Sequence, residues 1–244
     1  MVYINTIVNK DGISQAEFIK KLANSNLRLE GVEIRRELLP EKKESRLEFF
    51  SEVLETGKHK KWNIYYSVPE PLFCPTGINP DFEDYLEEAE AMTAISLKIN
   101  IGNLAGIRRA DRNAFNQLIQ SRKIQITIEN SQTELNGKAQ AVIQALHEIN
   151  EMNFNIGLTF DSGNWLVMDE NPEELFEDLK SFISVLHLKN MNTKNETVLL
   201  KDINGQLDWR QFLNTKTPII LEYPMSFEDI AAEVQLVNDA LESR

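Results

Sequence analysis

The stretch IQITIENSQTELNGKAQAVIQALHEINEMNFNIGLTFD, residues 124–161, contains the two chain segments that best indicate the fold. A short apolar run at residues 124–128 is followed by Glu129, and a second run at residues 155–160 is followed by Asp161. The segment between the two runs has helical periodicity. This order of strand, helix and strand is typical of a parallel βαβ unit, because parallel strands need a crossover of about a dozen residues or more.

The same unit recurs along the whole chain. Ser14 and Glu17 have the spacing of a capping box, and Asn79-Pro80 and Asn171-Pro172 each place a helix-capping residue before a proline. Eight strands are predicted, with starts 29 to 34 residues apart, at residues 3–8, 32–34, 62–68, 94–99, 124–128, 155–160, 184–188 and 218–223. Eight such units in 244 residues predict an α/β fold, a (β/α)8 TIM barrel, as one domain over residues 1–244.

A doubly wound open sheet is the competing architecture. Such sheets usually have fewer strands and often carry a glycine-rich phosphate loop, and the sequence contains neither G-x-G-x-x-G nor G-x-x-x-x-G-K-[ST]. The predicted strands are apolar on both faces, as expected for parallel strands that are covered by helices. These observations favour the barrel.

Charge and composition argue against several classes of protein. The 26 basic and 38 acidic residues give a net charge of -12, which disfavours nucleic-acid binding because that affinity comes largely from Lys and Arg. No apolar stretch approaches the roughly 18 residues needed to span a bilayer, and the N-terminus lacks a secretory signal pattern. We therefore expect a soluble, cytoplasmic protein without a nucleic-acid or membrane partner. Many barrels of this size form homodimers, and the sequence leaves the oligomeric state open.

Ionisable side chains end four consecutive predicted strands, the fifth to the eighth. They are Glu129, Asp161, His187 and Glu222. Active sites of TIM barrels lie at the carboxyl ends of the strands, and two Glu, one Asp and one His at one mouth predict a site for a divalent cation such as Mn, Co, Zn or Mg. The alternatives are strand-end residues that reach solvent or form salt bridges and, for His187, a buried core histidine.

These residues resemble a known family, the xylose isomerase-like TIM barrels of the sugar phosphate isomerase and epimerase group. The metal-binding Glu, Asp, His and Glu of that family end the fifth to eighth strands and look like the four residues above, which are 32, 26 and 35 residues apart. Further similar stretches are GVEIR at residues 31–35, HLKN at residues 187–190 and GQLDW at residues 205–209, before the seventh predicted helix. The resemblance covers the whole chain and implies one divalent metal ion held by Glu129, Asp161, His187 and Glu222.

The sequence departs from the family at Asn164. The family usually has a histidine three residues after the strand-six aspartate, whereas asparagine cannot transfer a proton near neutral pH. Endonuclease IV, a member of the family, builds a three-metal cluster with additional histidines, but this chain has three histidines in total. Together with the net charge, this count argues against a DNA repair nuclease.

The resemblance implies chemistry at the carbon next to a carbonyl in a small sugar, sugar phosphate or hydroxy-carbonyl compound. The metal would hold the carbonyl and hydroxyl oxygens of this carbohydrate substrate and stabilise an enediolate. Glu129 and Glu222 would be the catalytic base and acid on opposite faces of the substrate, whereas Asp161 and His187 would be ligands only. We therefore expect a metal-dependent isomerase or epimerase of carbohydrate metabolism.

Further candidates for substrate binding are Glu33, Arg35, Lys98, Asn164, Trp165 and Lys189. Glu33 and Arg35 are two residues apart on the second strand and face the same way, and a salt bridge across the barrel rim is an equal alternative for them. Lys98 and Lys189 are cations that could neutralise a phosphate or an enediolate oxygen, although Lys98 could instead extend to the surface. Trp165 could line a sugar face or belong to the core.

Three functions remain open. The first is the isomerase or epimerase. The second is a lyase, such as a dehydratase, that uses the same metal site and expels a hydroxyl group. The third is a non-catalytic sugar-binding barrel, which the asparagine at position 164 and the short chain both suggest.

Overall fold

The computed structural model describes residues 1–213 and 216–243, and at its centre is a closed barrel of parallel strands. The strands are β1 (Val2–Asn5), β2 (Gly31–Arg35), β3 (Asn63–Cys74), β4 (Ser96–Gly102), β5 (Gln125–Glu129), β6 (Ile156–Asp161), β7 (Ile183–Leu188) and β8 (Ile219–Leu221). Each strand pairs in parallel with the next one in the sequence, and β8 pairs with β1. This closure confirms the predicted (β/α)8 barrel, because an open doubly wound sheet would leave two edge strands.

Helices connect the strands and pack on the outside of the barrel. They are α1 (Gln15–Ala23), α2 (Lys43–Lys60), α3 (Phe82–Ala91), α4 (Leu104–Arg109), α5 (Arg112–Arg122), α6 (Glu134–Gly137), α7 (Ala139–Glu151), α8 (Ser162–Val167), α9 (Pro172–Leu179) and α10 (Phe227–Glu242). Shorter elements are 3-10 helices at Thr6–Val8, Arg36–Leu38 and Trp209–Phe212 and small strands at Gly77–Ile78, Asn190–Met191 and Thr197–Val198. Within the described residues, no helix combines the length and the apolar character that crossing a membrane requires.

The connection from β7 to β8 differs from the sequence prediction of a seventh helix. Within its described residues, 189–213 and 216–218, the helical element is the 3-10 helix at Trp209–Phe212. The strands at Asn190–Met191 and Thr197–Val198 form an antiparallel pair, and Trp209 Nε1 donates a hydrogen bond to the Leu200 carbonyl at 2.9 Å. The anchored loop extends as far as Trp209. Only the nine residues 210–218 therefore lie between this loop and β8.

Two of the three predicted helix starts agree with the structure. Ser14 and Glu17 form both hydrogen bonds of the capping box at α1. The Asn171 side chain accepts from two backbone N–H groups of α9, whose first residue is a proline. The third helix, α3, begins two residues after the predicted Pro80, because Asn79 Oδ1 accepts from Asp81 N at 2.9 Å and stabilises a turn before the helix.

The alternation of side chains along the strands places the site inside the barrel. An apolar cluster separate from the main core consists of Tyr3, Tyr65, Val185 and Ile220. The main core lies between the strands and the helices. His187 and Glu222 come two residues after members of the smaller cluster and therefore point to the same side as that cluster, nearer the carboxyl end of the barrel. This is the end at which TIM barrels carry their active sites.

Candidate metal centre

Acidic and imidazole side chains meet inside the carboxyl end of the barrel. Glu129, Asp161, His187 and Glu222 each offer one ligand atom, and these atoms all lie within 4.8 Å of one another. All four side chains are buried. The structure thus brings together the four residues that the sequence placed at successive strand ends.

The donor atoms of this cluster fit a divalent cation. Three carboxylates and an imidazole nitrogen suit Mn, Co, Zn or Mg. Glu129 Oε1 and Asp161 Oδ2 are buried oxygens without a hydrogen-bond donor, although His187 Nδ1 lies 2.8 Å from the first and Lys189 Nζ lies 3.0 Å from the second. These contacts have the distance of an ion pair without the geometry of a hydrogen bond, so lone pairs on both oxygens remain available to a cation.

The His187 ring is held between carboxylates on both of its nitrogen atoms. Its Nδ1 lies 2.8 Å from Glu129 Oε1 and 2.9 Å from Glu222 Oε2, and its Nε2 lies 3.1 Å from Glu33 Oε2. When Nε2 donates its hydrogen to Glu33, Nδ1 keeps a lone pair that faces the other carboxylates. Carboxylates commonly orient metal-binding histidines in this way.

Charge around the ring also changes its affinity for protons. Burial lowers the pKa of His187, but the negative charges of Glu33 and Glu222 outweigh burial and raise this pKa well above its ordinary value. The carboxylates around His187 therefore favour a positive charge on this ring.

Glu33 lies behind His187 and is almost fully buried, with 1% of its surface exposed. Asn5 Nδ2 donates to Glu33 Oε2 at 2.5 Å and to Glu222 Oε1 at 3.1 Å. The residues that line the cavity above the cluster do not include Glu33. This placement favours orientation of His187 over the predicted contact of Glu33 with substrate.

Each carboxylate of the cluster has its own cationic partner. The three pairs are Lys98 Nζ with Glu129 Oε2 at 2.6 Å, Lys189 Nζ with Asp161 Oδ2 at 3.0 Å, and Arg35 Nη1 with Glu222 Oε1 at 2.6 Å. Lys98 thus points into the barrel and not to the surface, and Arg35 forms the salt bridge across the rim that was the alternative to substrate binding.

The three carboxyl groups differ in their pKa. Burial raises the pKa of Glu129, but Lys98 outweighs burial and lowers the pKa to about 2. Burial likewise opposes ionisation of Glu222, yet the positive charge of His187 holds its pKa well below the ordinary value. Burial raises the pKa of Asp161, and Lys189 lowers it. The negative charges of Glu222 and Glu129 add to the effect of burial, and the pKa is raised to about 7. Glu129 and Glu222 are therefore ionised at neutral pH and available as bases.

Asparagine side chains fix the end of β6. Asn130 Nδ2 donates to the Asp161 carbonyl at 2.9 Å, and Asn130 Oδ1 accepts from Asp161 N at 2.8 Å. Asp161 Oδ1 in turn accepts from Asn164 N at 2.7 Å, which caps α8. Asn164 Oδ1 accepts from Lys189 Nζ at 3.0 Å. Asn164 thus connects the candidate ligand Asp161 to a lining cation.

A cavity of about 380 Å³ opens above the cluster. Its lining residues are Ile7, Arg35, Pro69, Lys98, Asn100, Glu129, Ser131, Gln132, Asn164, Lys189, Thr197, Glu222 and Pro224. Four of the six residues predicted to bind substrate are among them: Arg35, Lys98, Asn164 and Lys189. Ten of these thirteen residues are polar or charged, so they can form hydrogen bonds with a hydroxylated molecule.

Trp165 lies elsewhere, in the core. It is fully buried, and its ring centroid is 5.9 Å from that of Phe160. Asn164 and Trp165 are consecutive residues of α8 and therefore face different directions. Trp165 is therefore not among the residues that line the cavity.

The sequence-based candidates omit several uncharged residues of the site, among them Asn5, Asn130 and Gln132. Gln132 lines the cavity, and its Nε2 donates to Asn164 Oδ1 at 2.8 Å. Asn5 ends β1 and Asn130 follows β5 directly. The strand-end rule that selected Glu129 therefore finds Asn5 and Asn130 as well when it is extended from ionisable groups to amides.

Comparison with solved structures finds barrels of the same architecture. A D-tagatose 3-epimerase-like protein has a TM-score of 0.76 at 16% identity, covering 99% of this chain and 97% of its own. The probable 3-DHS dehydratase AsbF of petrobactin synthesis, from Bacillus anthracis, has a TM-score of 0.73 at 15% identity, covering 97% and 98%. A xylose isomerase domain containing protein from Salmonella typhimurium LT2 has a TM-score of 0.66 at 14% identity, covering 99% and 96%.

Neither protein-family models nor curated proteins match the sequence. At identities this low, structural similarity establishes the fold alone. The chain has the fold of the xylose isomerase-like TIM barrels, as the sequence resemblance predicted.

Proposed function

We propose that this chain is a divalent-metal-dependent isomerase or epimerase of a small sugar, sugar phosphate or hydroxy-carbonyl compound. The observation that carries the proposal is the meeting of Glu129, Asp161, His187 and Glu222, whose ligand atoms lie within 4.8 Å of one another. This cluster lies beneath a polar cavity at the carboxyl end of the barrel. The epimerase-like and xylose isomerase domain proteins of the same fold support it further.

A divalent cation bound by these four residues would supply a Lewis acid that polarises a substrate carbonyl. Asp161 and His187 would serve only to hold it, and Glu33 keeps the His187 ring in place from behind. Polarisation makes the hydrogen on the neighbouring carbon more acidic, so a carboxylate at cavity depth can remove it.

Glu129 and Glu222 are the residues we assign to proton transfer. Both line the cavity, and they come from β5 and from the end of β8, which lie on different sides of the barrel. Their low pKa values keep both ionised at neutral pH. One carboxylate removes the proton, and the other returns a proton to the opposite face or to the adjacent carbon.

A lyase is the second candidate, favoured by the position of Lys189. A dehydratase needs an acid at the leaving hydroxyl, and the Lys189 ammonium lines the cavity beside Asp161. Burial lowers the pKa of Lys189, but the charges of Asp161 and Glu222 outweigh burial and raise it, so the group carries a proton. The probable dehydratase of the same fold supports this alternative.

Solvent isotope exchange separates these functions. Metal-loaded protein is incubated in deuterium oxide with a panel of ketoses, ketose phosphates and hydroxy-keto acids, and the products are analysed by NMR and mass spectrometry. Deuterium at the carbon next to the carbonyl without loss of water is the expected result, and loss of water would indicate the lyase.

Variants connect the exchange to the proposed residues. E129Q and E222Q are expected to abolish exchange, whereas E148Q, which changes a buried glutamate paired with Arg108 outside the cavity, keeps it. Metal-loaded protein that binds substrates without exchange or turnover would contradict the enzymatic proposal and identify a sugar-binding barrel.

A further inference from the structure

The cavity contains more positive charge than a binding site for neutral sugars needs. The charged residues lining it are Arg35, Lys98, Glu129, Lys189 and Glu222. Three of these five are cations, and each is engaged by one carboxylate of the candidate metal centre. Lys98 is 4% exposed, so its ammonium group depends on a protein partner for its stability.

The carboxylates that contact these cations are the same groups that would bind a metal ion. Metal binding requires a neutral imidazole at position 187 and ionised carboxylates. In that state, the three cations and the four carboxylates of Glu33, Glu129, Asp161 and Glu222 leave one net negative charge. A divalent cation among them changes this balance to one net positive charge. Glu37, which also contacts Arg35, is about one-third exposed at the rim, so solvent screens its charge.

The net positive charge of the metal-loaded site therefore favours the binding of an anion next to the three cations. The carboxylate oxygens that Lys98, Lys189 and Arg35 now contact would share their charge with the metal, and the two ammonium groups are too deeply placed for water to compensate fully. The rest of the lining offers mainly amide and hydroxyl groups, from Asn100, Ser131, Gln132, Asn164 and Thr197, which suit hydroxyl groups of a ligand.

We propose that Arg35, Lys98 and Lys189 exchange partners, holding the ligand carboxylates in the metal-free protein and the carboxylate of a hydroxy acid substrate in the metal-loaded protein. This inference rests on the proposed function and narrows its substrate class to hydroxy-keto acids. A single carboxylate neutralises the one net positive charge of the loaded site. A phosphate ester, with about 1.5 to 2 negative charges at neutral pH, exceeds it.

Matched ligands test the proposal without turnover. Glycerate and glycerol differ only by a carboxylate in place of a hydroxymethyl group, and so do gluconate and sorbitol. None of them contains the carbonyl that the reaction needs. Their binding to cobalt-loaded protein is measured by calorimetry at constant ionic strength, and the visible spectrum of the cobalt ion confirms that the metal stays bound. Glycerol 3-phosphate provides the phosphate arm.

The acids are expected to bind about tenfold to a hundredfold more tightly than the matched alcohols, as a charge-assisted hydrogen bond predicts. In K98M and K189M, this preference is expected to fall at least tenfold, whereas K180M, at an exposed lysine that follows the last residue of α9, keeps it. Metal-free protein is expected to show no preference, because its cations are engaged by Glu129, Asp161 and Glu222.

Several results would overturn the proposal. Equal affinity for acid and alcohol in metal-loaded protein would refute it and leave the metal-dependent function intact. An acid preference that survives in both K98M and K189M would mean that the carboxylate binds the metal alone. Tighter binding of glycerol 3-phosphate than of glycerate would assign the cations to a phosphate. Failure of the wild-type protein to take up cobalt would overturn the proposed function itself.

Discussion

Replacing Glu33 with glutamine tests whether the carboxylate behind His187 determines the metal affinity of the site. Glu33 Oε2 lies 3.1 Å from His187 Nε2 and also accepts from Asn5 Nδ2. Glutamine removes the negative charge and has one acceptor oxygen for these two donors, so His187 loses its charge-assisted partner. Loss of such a partner typically weakens metal binding tenfold to a hundredfold, or by about 1.4 to 2.7 kcal/mol.

The assay is calorimetric titration of metal-free protein with Mn, Co and Zn salts, for the wild type, E33Q and E148Q. Glu148 is a matched control because it is also a buried glutamate, with Arg108 and Gln144 as partners on the outside of the barrel. Urea unfolding of the three metal-free proteins separates a loss of affinity from a loss of structure. An E33Q affinity equal to that of the wild type, or reduced no more than in E148Q, would refute the assigned role of Glu33.

Three further predictions concern the frame of the site. N130A removes the side-chain hydrogen bonds to the N–H and the carbonyl of Asp161 and is expected to reduce the free energy of unfolding by about 1 to 3 kcal/mol in urea titration; an unchanged value would contradict the bracing role of this side chain. G163A places a Cβ 2.7 Å from Lys189 Cε, so the lysine must move, and overpacking is expected to cost about 1 to 3 kcal/mol in the same assay; unaltered stability would show that the lysine moves freely. Burial raises the pKa of Tyr223 well above its ordinary value, so above about pH 10 the unfolded chain loses a proton that the folded chain keeps, and stability falls by about 1.4 kcal/mol per pH unit. Y223F is expected to flatten this alkaline loss, and an identical slope in both proteins would argue against the shift.

The strands of the barrel could be predicted because each is a short apolar run that a helix must follow. The ends of the strands were harder to predict. For example, β3 continues to Cys74 through its pairing with Gly77–Ile78, well past the predicted end at residue 68. The prediction of a seventh helix was wrong because the residues after β7 form a loop instead. Trp209 anchors this loop through its hydrogen bond to Leu200. Tertiary contacts of this kind leave no periodic signal in the sequence.

The candidate ligands could be predicted from their position at strand ends, because parallel strands present those ends at one mouth. The ion-pair partners of these residues could not be predicted, since Arg35 and Glu222, for example, are 187 positions apart in the sequence. The sequence also could not predict where the side chains of two substrate-binding candidates point. Glu33 points beneath His187, and Trp165 points into the core. An amide such as Asn130 gives no charge signal, although its hydrogen bonds hold Asp161 in place.

Counting the bound metal ions tests the proposed metal centre most directly. The protein is purified without chelator, and bound ions are counted by elemental mass spectrometry for the wild type and for E222Q, before and after dialysis against Mn, Co or Zn. We expect about one divalent ion per chain in the wild type and its loss in E222Q, because a neutral amide is a poor ligand for such a cation. No bound ion in the wild type after dialysis, or full retention in E222Q, would contradict the assignment of Glu129, Asp161, His187 and Glu222 as a metal centre.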